Sequence, residues 1–185
     1  MEYRRLRHMT NIEDLFCFRR STRKFKADQV PDESIQKIIE AGQTAPLAMG
    51  NDKTTHITVV QNREVLEMIR KCCMKESRKT PGKMLDSLYG APVFIILSAA
   101  DVSDDHIEYC DVACVIENMI LEATNLGLGS CYIWGCLRKL RKSPETMVKL
   151  NIPDGYEILS AMVCGYPEKP LEARERKSRI TVNMI

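Results

Sequence analysis

PVFIILS, at residues 92–98, is the stretch that decides the fold. It is a continuous, β-prone apolar run, which is typical of a strand that lies inside a sheet and is covered on both faces. The longest mostly apolar run around it, residues 91–100, is too short to cross a bilayer. We therefore predict a central buried strand in a globular chain and no membrane span.

A long helix is predicted after this strand, from Asp105 to Leu126, with Gly127 as the residue that ends it. Its apolar side chains lie almost all round, as in a helix that is buried on most sides. They are Ile107, Val112, Ala113, Ile116, Met119, Ile120 and Ala123. Such a helix needs more than one sheet face to cover it, which would suit the centre of the interface if the chain forms a dimer.

Helices and strands alternate around this pair. Near the start, Thr10 and Glu13 have the spacing of a capping box, and Pro31 with Asp32 opens a second helix. Alternating and helical spacings predict strands at 56–61, 130–135 and 157–165, helices at 63–77 and 136–150, and a loop at 78–90. This order predicts one α+β domain over residues 1–185, with a central sheet of about four strands packed by helices.

The composition excludes several classes of protein. Of the 185 residues, 44% are hydrophobic and 28% are charged, which is too apolar for a disordered chain and enough for a real core. The formal net charge of +2 is too small for the broad basic face of a typical nucleic-acid binder. The N-terminus, MEYRRLRHMTNIED, has positive charge but no apolar stretch after it, so we expect no signal peptide and a cytoplasmic protein.

Eight cysteines and three histidines raise the question of a metal site. No CxxC pair occurs and the histidines are widely separated, so a zinc or iron–sulfur centre is disfavoured. We expect free, mostly buried thiols in a reducing cytosol, with a redox-active thiol as the alternative.

RRSTRKF, at residues 19–25, concentrates four cationic side chains and the Ser21 hydroxyl between two predicted helices. Guanidinium groups form bidentate, charge-assisted hydrogen bonds with phosphate, and a hydroxyl can complete the set. Taken alone, such a run is more often a solvated basic turn. The rest of the sequence decides between a turn and an anion site.

Four stretches, in order, resemble the nitroreductase-like family of FMN flavoproteins. They are RRSTRKF, AGQTAPLAMG (41–50), ENMILEATNLGLGSCYIWG (117–135) and PDGYEILSAMVCGYPEKP (153–170). Together they span almost the whole chain, although no single one is decisive. The resemblance implies an α+β fold with a central mixed sheet, a homodimer, and two FMN sites built across the dimer interface.

The resemblance also implies which residues contact FMN. The segment like RRSTRKF grips the phosphate and ribityl chain, the segment like APLAMG is laid against the flavin by the partner subunit, and the segment like YIWG runs beside the ring near N5. The corresponding residues are Arg19, Ser21 and Arg23 for the phosphate, with the side chain or backbone of Arg20 near the flavin ring, then Pro46, Leu47, Ala48 and Gly50, and finally Ile133, Trp134 and Gly135. A core aromatic is the alternative for Trp134.

Three further cations are implied. Lys83, in GKMLDS, corresponds to a cation that some relatives place near the flavin, with a solvated lysine as the alternative. Lys177 and Arg179 resemble a C-terminal element that returns a cation to the phosphate, and the apolar ITVNMI after it predicts a tail docked on the body or on the partner subunit. After Gly50 the chain departs from the commonest family pattern, so no side-chain contact is assigned to Asn51.

The activity implied is that of an FMN-dependent oxidoreductase. NADH or NADPH would deliver hydride to the flavin N5 and leave, and a nitroaromatic or quinone acceptor would then occupy the same cleft in a ping-pong scheme. The cofactor carries this chemistry, so no catalytic side chain and no metal is predicted. The alternatives are another reaction on the same fold, such as dehalogenation or flavin metabolism, a flavin-binding protein without turnover, and a small protein that binds nucleic acid or a partner.

Overall fold

The computed structural model describes residues 11–50, 52–175 and 180–185. Its helices are α1 (Ile12–Phe18), α2 (Asp32–Gln43), α3 (Arg63–Cys73), α4 (Ile107–Asn125), α5 (Leu137–Leu140) and α6 (Pro144–Leu150). Its strands are β1 (Thr55–Val60), β2 (Lys75–Glu76), β3 (Met84–Leu85), β4 (Val93–Ala100), β5 (Gly129–Ile133) and β6 (Tyr156–Gly165). Within these ranges no helix is long and apolar enough to cross a membrane.

A four-stranded sheet in the order β1–β4–β6–β5 forms the middle of the molecule. It differs from the predicted mixed sheet because each neighbouring pair of strands is antiparallel, and a parallel pairing occurs in an isolated bridge between Ser21 and Ser130. The succession β4–α4–β5 resembles a parallel crossover unit, and these two strands do run in the same direction. They are not neighbours, because β6 inserts between them and pairs antiparallel with both.

The central strand predicted at PVFIILS is β4, and it is buried on both faces. Val93, Ile95 and Leu97 face one core together with α2 and α4, whereas Phe94 and Ile96 face a second core together with α3, α5 and α6. All five side chains are fully buried. Burial on both faces explains why the strand is a continuous apolar run rather than an alternating one.

Within one chain the long helix α4 is buried on one side, so the predicted burial on most sides would need a second subunit to cover the rest. Its buried side enters the first core, where Met119 packs so closely on α2 that a Cβ at Gly42 would lie 2.6 Å from the Met119 side chain. The opposite side is exposed at Ile107, Cys110, Cys114 and Glu117, which helical spacing aligns as one outer stripe. Met119 therefore belongs to the core of one subunit, and an interface on α4 would use the outer stripe.

Helix α1 is capped by Asn11. The Asn11 Oδ1 accepts a hydrogen bond from the Glu13 backbone N–H at 2.9 Å, which satisfies one of the free donors at the start of the helix. The predicted cap residue, Thr10, lies outside the described residues. After α1 the backbone is extended from Arg19 onward, and this extension lays the RRSTRKF segment along the edge of the sheet.

Candidate functional site

The RRSTRKF segment is fixed along the open edge of β5. Ser21 pairs with Ser130, and the Thr22 N–H donates to the Ser130 carbonyl at 2.7 Å. Further along, Phe25 pairs with Pro167 in an antiparallel bridge. The segment is thereby held between β5 and the chain that leaves β6.

A cleft of about 340 Å³ opens beside this segment, against the chain after β6. One wall carries Arg20, Arg23 and Lys24, and the other carries Lys169 and Glu168. The Glu168 carboxylate pairs with Lys24 at 3.5 Å. Arg20 and Arg23 are exposed, so their guanidinium groups can reach an anionic ligand. The volume and the excess of cations suit a phosphate-bearing molecule.

Arg19, the first predicted phosphate ligand, lies apart from this cluster. It ends α1, and its Nε lies 3.8 Å from Oε1 of Glu117 on the outer stripe of α4. The Glu117 side chain is 51% exposed, and an exposed ion pair of this kind contributes at most about 1 kcal/mol. The Arg19 guanidinium could therefore exchange this partner for a stronger anion.

Thr22 is a cleft residue that the sequence prediction missed. Its Oγ1 is buried and has no hydrogen-bond partner among the described residues, and such a hydroxyl calls for a ligand or a water molecule. The Thr22 side chain lies against Gly129, where a Cβ would come within 2.7 Å of Oγ1. Gly129 was the available signal, because a glycine in a strand often marks the close approach of another backbone or a ligand.

The positive charge at this edge acts on the Cys131 thiol of β5. Burial raises the pKa of Cys131, and Arg23, Ser21 and Lys75 oppose that rise. The hairpin β2–β3, which begins at Lys75, therefore lies near the same edge of the sheet. It carries Lys83, the cation predicted near the flavin, in an exposed position directly before β3.

Trp134 follows β5 directly and is exposed. Ile133 is buried in the strand, whereas 53% of Trp134 is accessible and Gly135 is exposed. The alternative of a core aromatic is therefore wrong for Trp134. Its ring centroid lies 5.6 Å from that of Tyr109 on α4, in an edge-on contact. The three predicted ring neighbours thus continue the strand that carries Ser130 beside the cleft.

The APLAMG segment lies away from the cleft. The Ala48 N–H donates to Oδ1 of Asp111 on α4 at 2.9 Å, and Leu47 packs against the first core. Pro46 and Gly50 are exposed, and Gly50 has a φ of 64°, which suits glycine. Leu47 also borders a second cavity beside β1, the edge strand opposite β5. Three strand spacings, about 14 Å, separate these two edges within one chain.

This second cavity, of about 600 Å³, is larger than the cleft but differs in charge. Its described lining is mostly apolar, contains no Lys or Arg, and includes the acid Asp52. A phosphate would find no cation there, so the smaller cleft beside β5 is the better anion site.

Lys177 and Arg179, two predicted phosphate ligands, lie outside the described residues, as does Asn51. Before them, Leu171 borders the cleft and the Arg174 N–H donates to the carbonyl of Cys17 at 3.2 Å. The chain therefore passes the cleft and the end of α1 before it reaches the predicted cations. Residues 180–185 are exposed.

All eight cysteines are free thiols, and Cys73, Cys131, Cys136 and Cys164 are buried. The Cys73 thiol donates to the backbone carbonyl of Cys136 at 3.7 Å, and interaction with the neighbouring Cys136 thiol raises the pKa of Cys73 and lowers that of Cys136. In the part of the chain that the structure describes, no group of three His, Cys, Asp or Glu side chains could hold a metal ion.

The fold and the cleft together define a class: an α+β protein whose antiparallel sheet carries, along one edge, a cationic cleft suited to a phosphate-bearing cofactor. Comparison with known protein families identifies the family within this class. Residues 18–166 match the model of the nitroreductase family, and the chain belongs to that family. The resemblance found in the sequence is confirmed.

Individual relatives agree with this assignment. A protein of Archaeoglobus fulgidus, provisionally named NADH dehydrogenase/NAD(P)H nitroreductase, is 30% identical over 171 residues, which are 90% of this chain and 91% of that protein. The NADPH-flavin oxidoreductase of Vibrio harveyi is 24% identical over 91% of this chain and 70% of its own length. A Bacteroides fragilis nitroreductase crystallised with FMN superposes with a TM-score of 0.78 at 27% identity, covering 95% of this chain and 100% of that one. The predicted α+β, nitroreductase-like fold is thereby confirmed.

Proposed function

We propose that this chain is an FMN-dependent oxidoreductase that transfers hydride from NADH or NADPH to an electron-poor acceptor of the nitroaromatic or quinone type. The observation that carries the proposal is the cationic cleft beside β5, where Arg20, Ser21 and Arg23 are exposed. The Vibrio relative is named for NADPH and flavin, and the Bacteroides structure contains FMN. We infer the same kind of cofactor and electron donor here.

The cleft residues fit the phosphate end of FMN. Arg20 and Arg23 would pair with the phosphate oxygens, and the exposed Ser21 hydroxyl would donate a further hydrogen bond. Thr22, which packs against Gly129 of β5, would hold its neighbours Ser21 and Arg23 in place at the cleft. Arg19 would join this set by leaving its exposed carboxylate partner.

The residues after β5 fit the ring end of FMN. A Cβ built at Gly135 would meet no atom within 4 Å, so the backbone there is open to a flat ring. Hydride transfer is the chemistry that bound FMN supplies. The ring would be bordered by Ile133, Trp134 and Gly135. A cation near the ring, such as Lys83, would favour the reduced, anionic form of the flavin.

Three more cations are proposed as FMN contacts. Lys83 lies on the hairpin near the β5 edge, and Lys177 and Arg179 follow the chain segment that borders the cleft. Each would add positive charge for the phosphate or the reduced ring.

A homodimer with two shared FMN sites is proposed as the active form. Within one chain the APLAMG segment and the cationic cleft lie at opposite edges of the sheet, so a single subunit offers only part of the site. A twofold-related copy could bring residues 46–50 of the partner subunit to the cleft. The outer stripe of α4 is exposed and apolar at Ile107, Cys110 and Cys114, and it is the surface we assign to this contact.

The visible spectrum of the purified protein tests the proposed function. We expect flavin bands at nearly equimolar FMN, and bleaching of these bands when NADH or NADPH is added without oxygen. Return of the bands on addition of a quinone or a nitroaromatic would support the acceptor class. The variant Arg20→Gln/Arg23→Gln tests the cleft, because it replaces two charged side chains with neutral polar ones. Compared with the wild-type protein, it should retain little FMN.

Other outcomes would contradict the proposal in distinct ways. A colourless protein that takes up no added FMN would exclude the flavin functions altogether. Bound FMN that neither donor bleaches would favour the alternatives, a flavin-binding protein without turnover or one with a different reaction. A single-subunit mass with FMN still tightly bound would exclude the shared site.

A further inference from the structure

We propose that Trp134 is a specificity-determining residue, whose exposed ring, held by Tyr109, forms an aromatic wall on which planar, electron-poor acceptors stack. The inference rests on the proposed function and adds to it the residue that selects the acceptor. It follows from three observations: where Trp134 lies along β5, how its ring is held, and how much of the ring is open.

Strand β5 sets the distance between the cleft and Trp134. Ser130, on this strand, accepts the hydrogen bond that anchors the cleft segment. Trp134 follows four residues later, which is about 13 Å along an extended strand. A cofactor with its phosphate in the cleft and its chain extended along β5 would bring its ring, not its phosphate, to Trp134. The indole therefore lies where an acceptor would meet the ring.

The Trp134 ring is held firmly but remains uncovered. The planes of the Trp134 and Tyr109 rings form an angle of 61°. Tyr109 in turn contacts His106, and the centroids of these two rings lie 5.8 Å apart. The Leu137 N–H donates to the Trp134 carbonyl at 3.1 Å and fixes the backbone. Even so, 53% of Trp134 is exposed. An edge-on contact with Tyr109 leaves ring surface free for a second aromatic partner.

The chemistry of the indole face favours one kind of partner. That face carries negative charge density and prefers offset stacking, so a planar electron-poor ring gains from the contact. Quinones and nitroaromatics have such rings, whereas a compact inorganic oxidant has none. Trp134 should therefore affect the choice among acceptors rather than hydride transfer in general.

Acceptor kinetics of the FMN-loaded enzyme test this role. With Trp134→Leu we expect kcat/KM for 1,4-naphthoquinone to fall about three- to tenfold more than kcat/KM for ferricyanide, because the two acceptors share any loss at the flavin ring and only the quinone loses an aromatic contact. The conservative control Trp134→Phe should lie between Trp134→Leu and the wild type. Equal losses with both acceptors would overturn the proposal, because Trp134 would then support the cofactor or the fold. The proposal would also be overturned if Trp134→Leu converted a wild-type dimer into monomers, because Trp134 would then be shown to support the interface.

A second measurement needs no turnover. Trp134 is the only tryptophan in the sequence, so intrinsic tryptophan fluorescence reports on this one ring. Without NADH or NADPH, 1,4-naphthoquinone should quench it saturably in the wild-type protein, whereas nitroethane, which has no ring, should not. Quenching without saturation would overturn the aromatic wall even in a working FMN enzyme. Saturable quenching in a protein that never reduces FMN would keep the wall and exclude the proposed function.

Discussion

Replacing Gly129 with alanine should weaken FMN binding without removing any charge. The new Cβ would lie 2.7 Å from both Oγ1 and Cγ2 of Thr22, so Thr22 must move by about 0.7 Å to reach the 3.4 Å of ordinary contact. Thr22 is bonded to Ser130 through its N–H at 2.7 Å, and its neighbours Ser21 and Arg23 border the cleft. Displacing Thr22 therefore displaces the hydroxyl and the guanidinium beside it.

Two costs follow from this displacement. Crowding of a packed site costs about 1–3 kcal/mol of folding free energy. Misplacing one charge-assisted bond to phosphate costs about 1.5–3 kcal/mol of binding free energy, which is roughly a ten- to hundredfold rise in the FMN Kd. We expect a folded Gly129→Ala protein with a lower Tm and a Kd raised about tenfold or more.

Titration of FMN, followed by flavin fluorescence, gives the Kd, and thermal unfolding of the same samples gives the Tm. Gly42→Ala is the matched control, because its Cβ would lie 2.6 Å from the Met119 side chain. It crowds the first core in the same way but does not touch the cleft. It should lose stability and keep its FMN affinity. If Gly129→Ala binds FMN as tightly as Gly42→Ala does, the position of Thr22 does not matter to the cleft and the assignment is refuted.

Arg23→Ala should raise the FMN Kd about ten- to a hundredfold, and unchanged binding, measured by equilibrium titration, would contradict the cleft as the phosphate site. Arg19→Ala should raise the Kd in the same titration only if Arg19 leaves its carboxylate partner for the phosphate. Cys114→Glu should convert a dimer into monomers, because it places a charge in the centre of the outer stripe of α4; light scattering measures the mass, and a wild-type dimer would remove the stripe from the interface. Alkylation of the native protein at pH 8 should spare Cys164, since full burial raises its pKa to about 12 and keeps the thiol protonated and covered. Peptide mass spectrometry should find Cys110 labelled faster in Cys114→Glu than in the wild type, and rapid labelling of Cys164 would contradict its place in the core.

Local patterns predicted the elements but not the arrangement of the strands. A continuous apolar run indicated β4, and helical spacing indicated α3 and α4, because burial on a face imposes a period on the sequence. The insertion of β6 between β4 and β5 depends on pairings between distant parts of the chain, such as Cys164 with Val93 and with Ser130. No local period encodes such a pairing, so the antiparallel order had to come from the structure.

The candidate site was predictable to the same degree. Arg20, Ser21 and Arg23 could be chosen because their chemistry suits phosphate, and the structure brings them to one cleft. The partner of Arg19 and the buried hydroxyl of Thr22 depend on which distant side chains lie nearby. Residue type alone does not carry that information.

The position of β6 has a consequence for how the protein is made. Because β5 pairs with β6 and not with β4, β5 cannot join the sheet until residues 156–165 have left the ribosome. Helix α4 can form early from local contacts, but β5 must wait for its neighbour, and the second wall of the cleft follows β6 in the chain. The cofactor cleft is therefore completed only after the four strands of the sheet have been made. A nascent chain that stalls before Tyr156 would display unpaired apolar strand edges, which chaperones and proteases recognise, instead of a partly active enzyme.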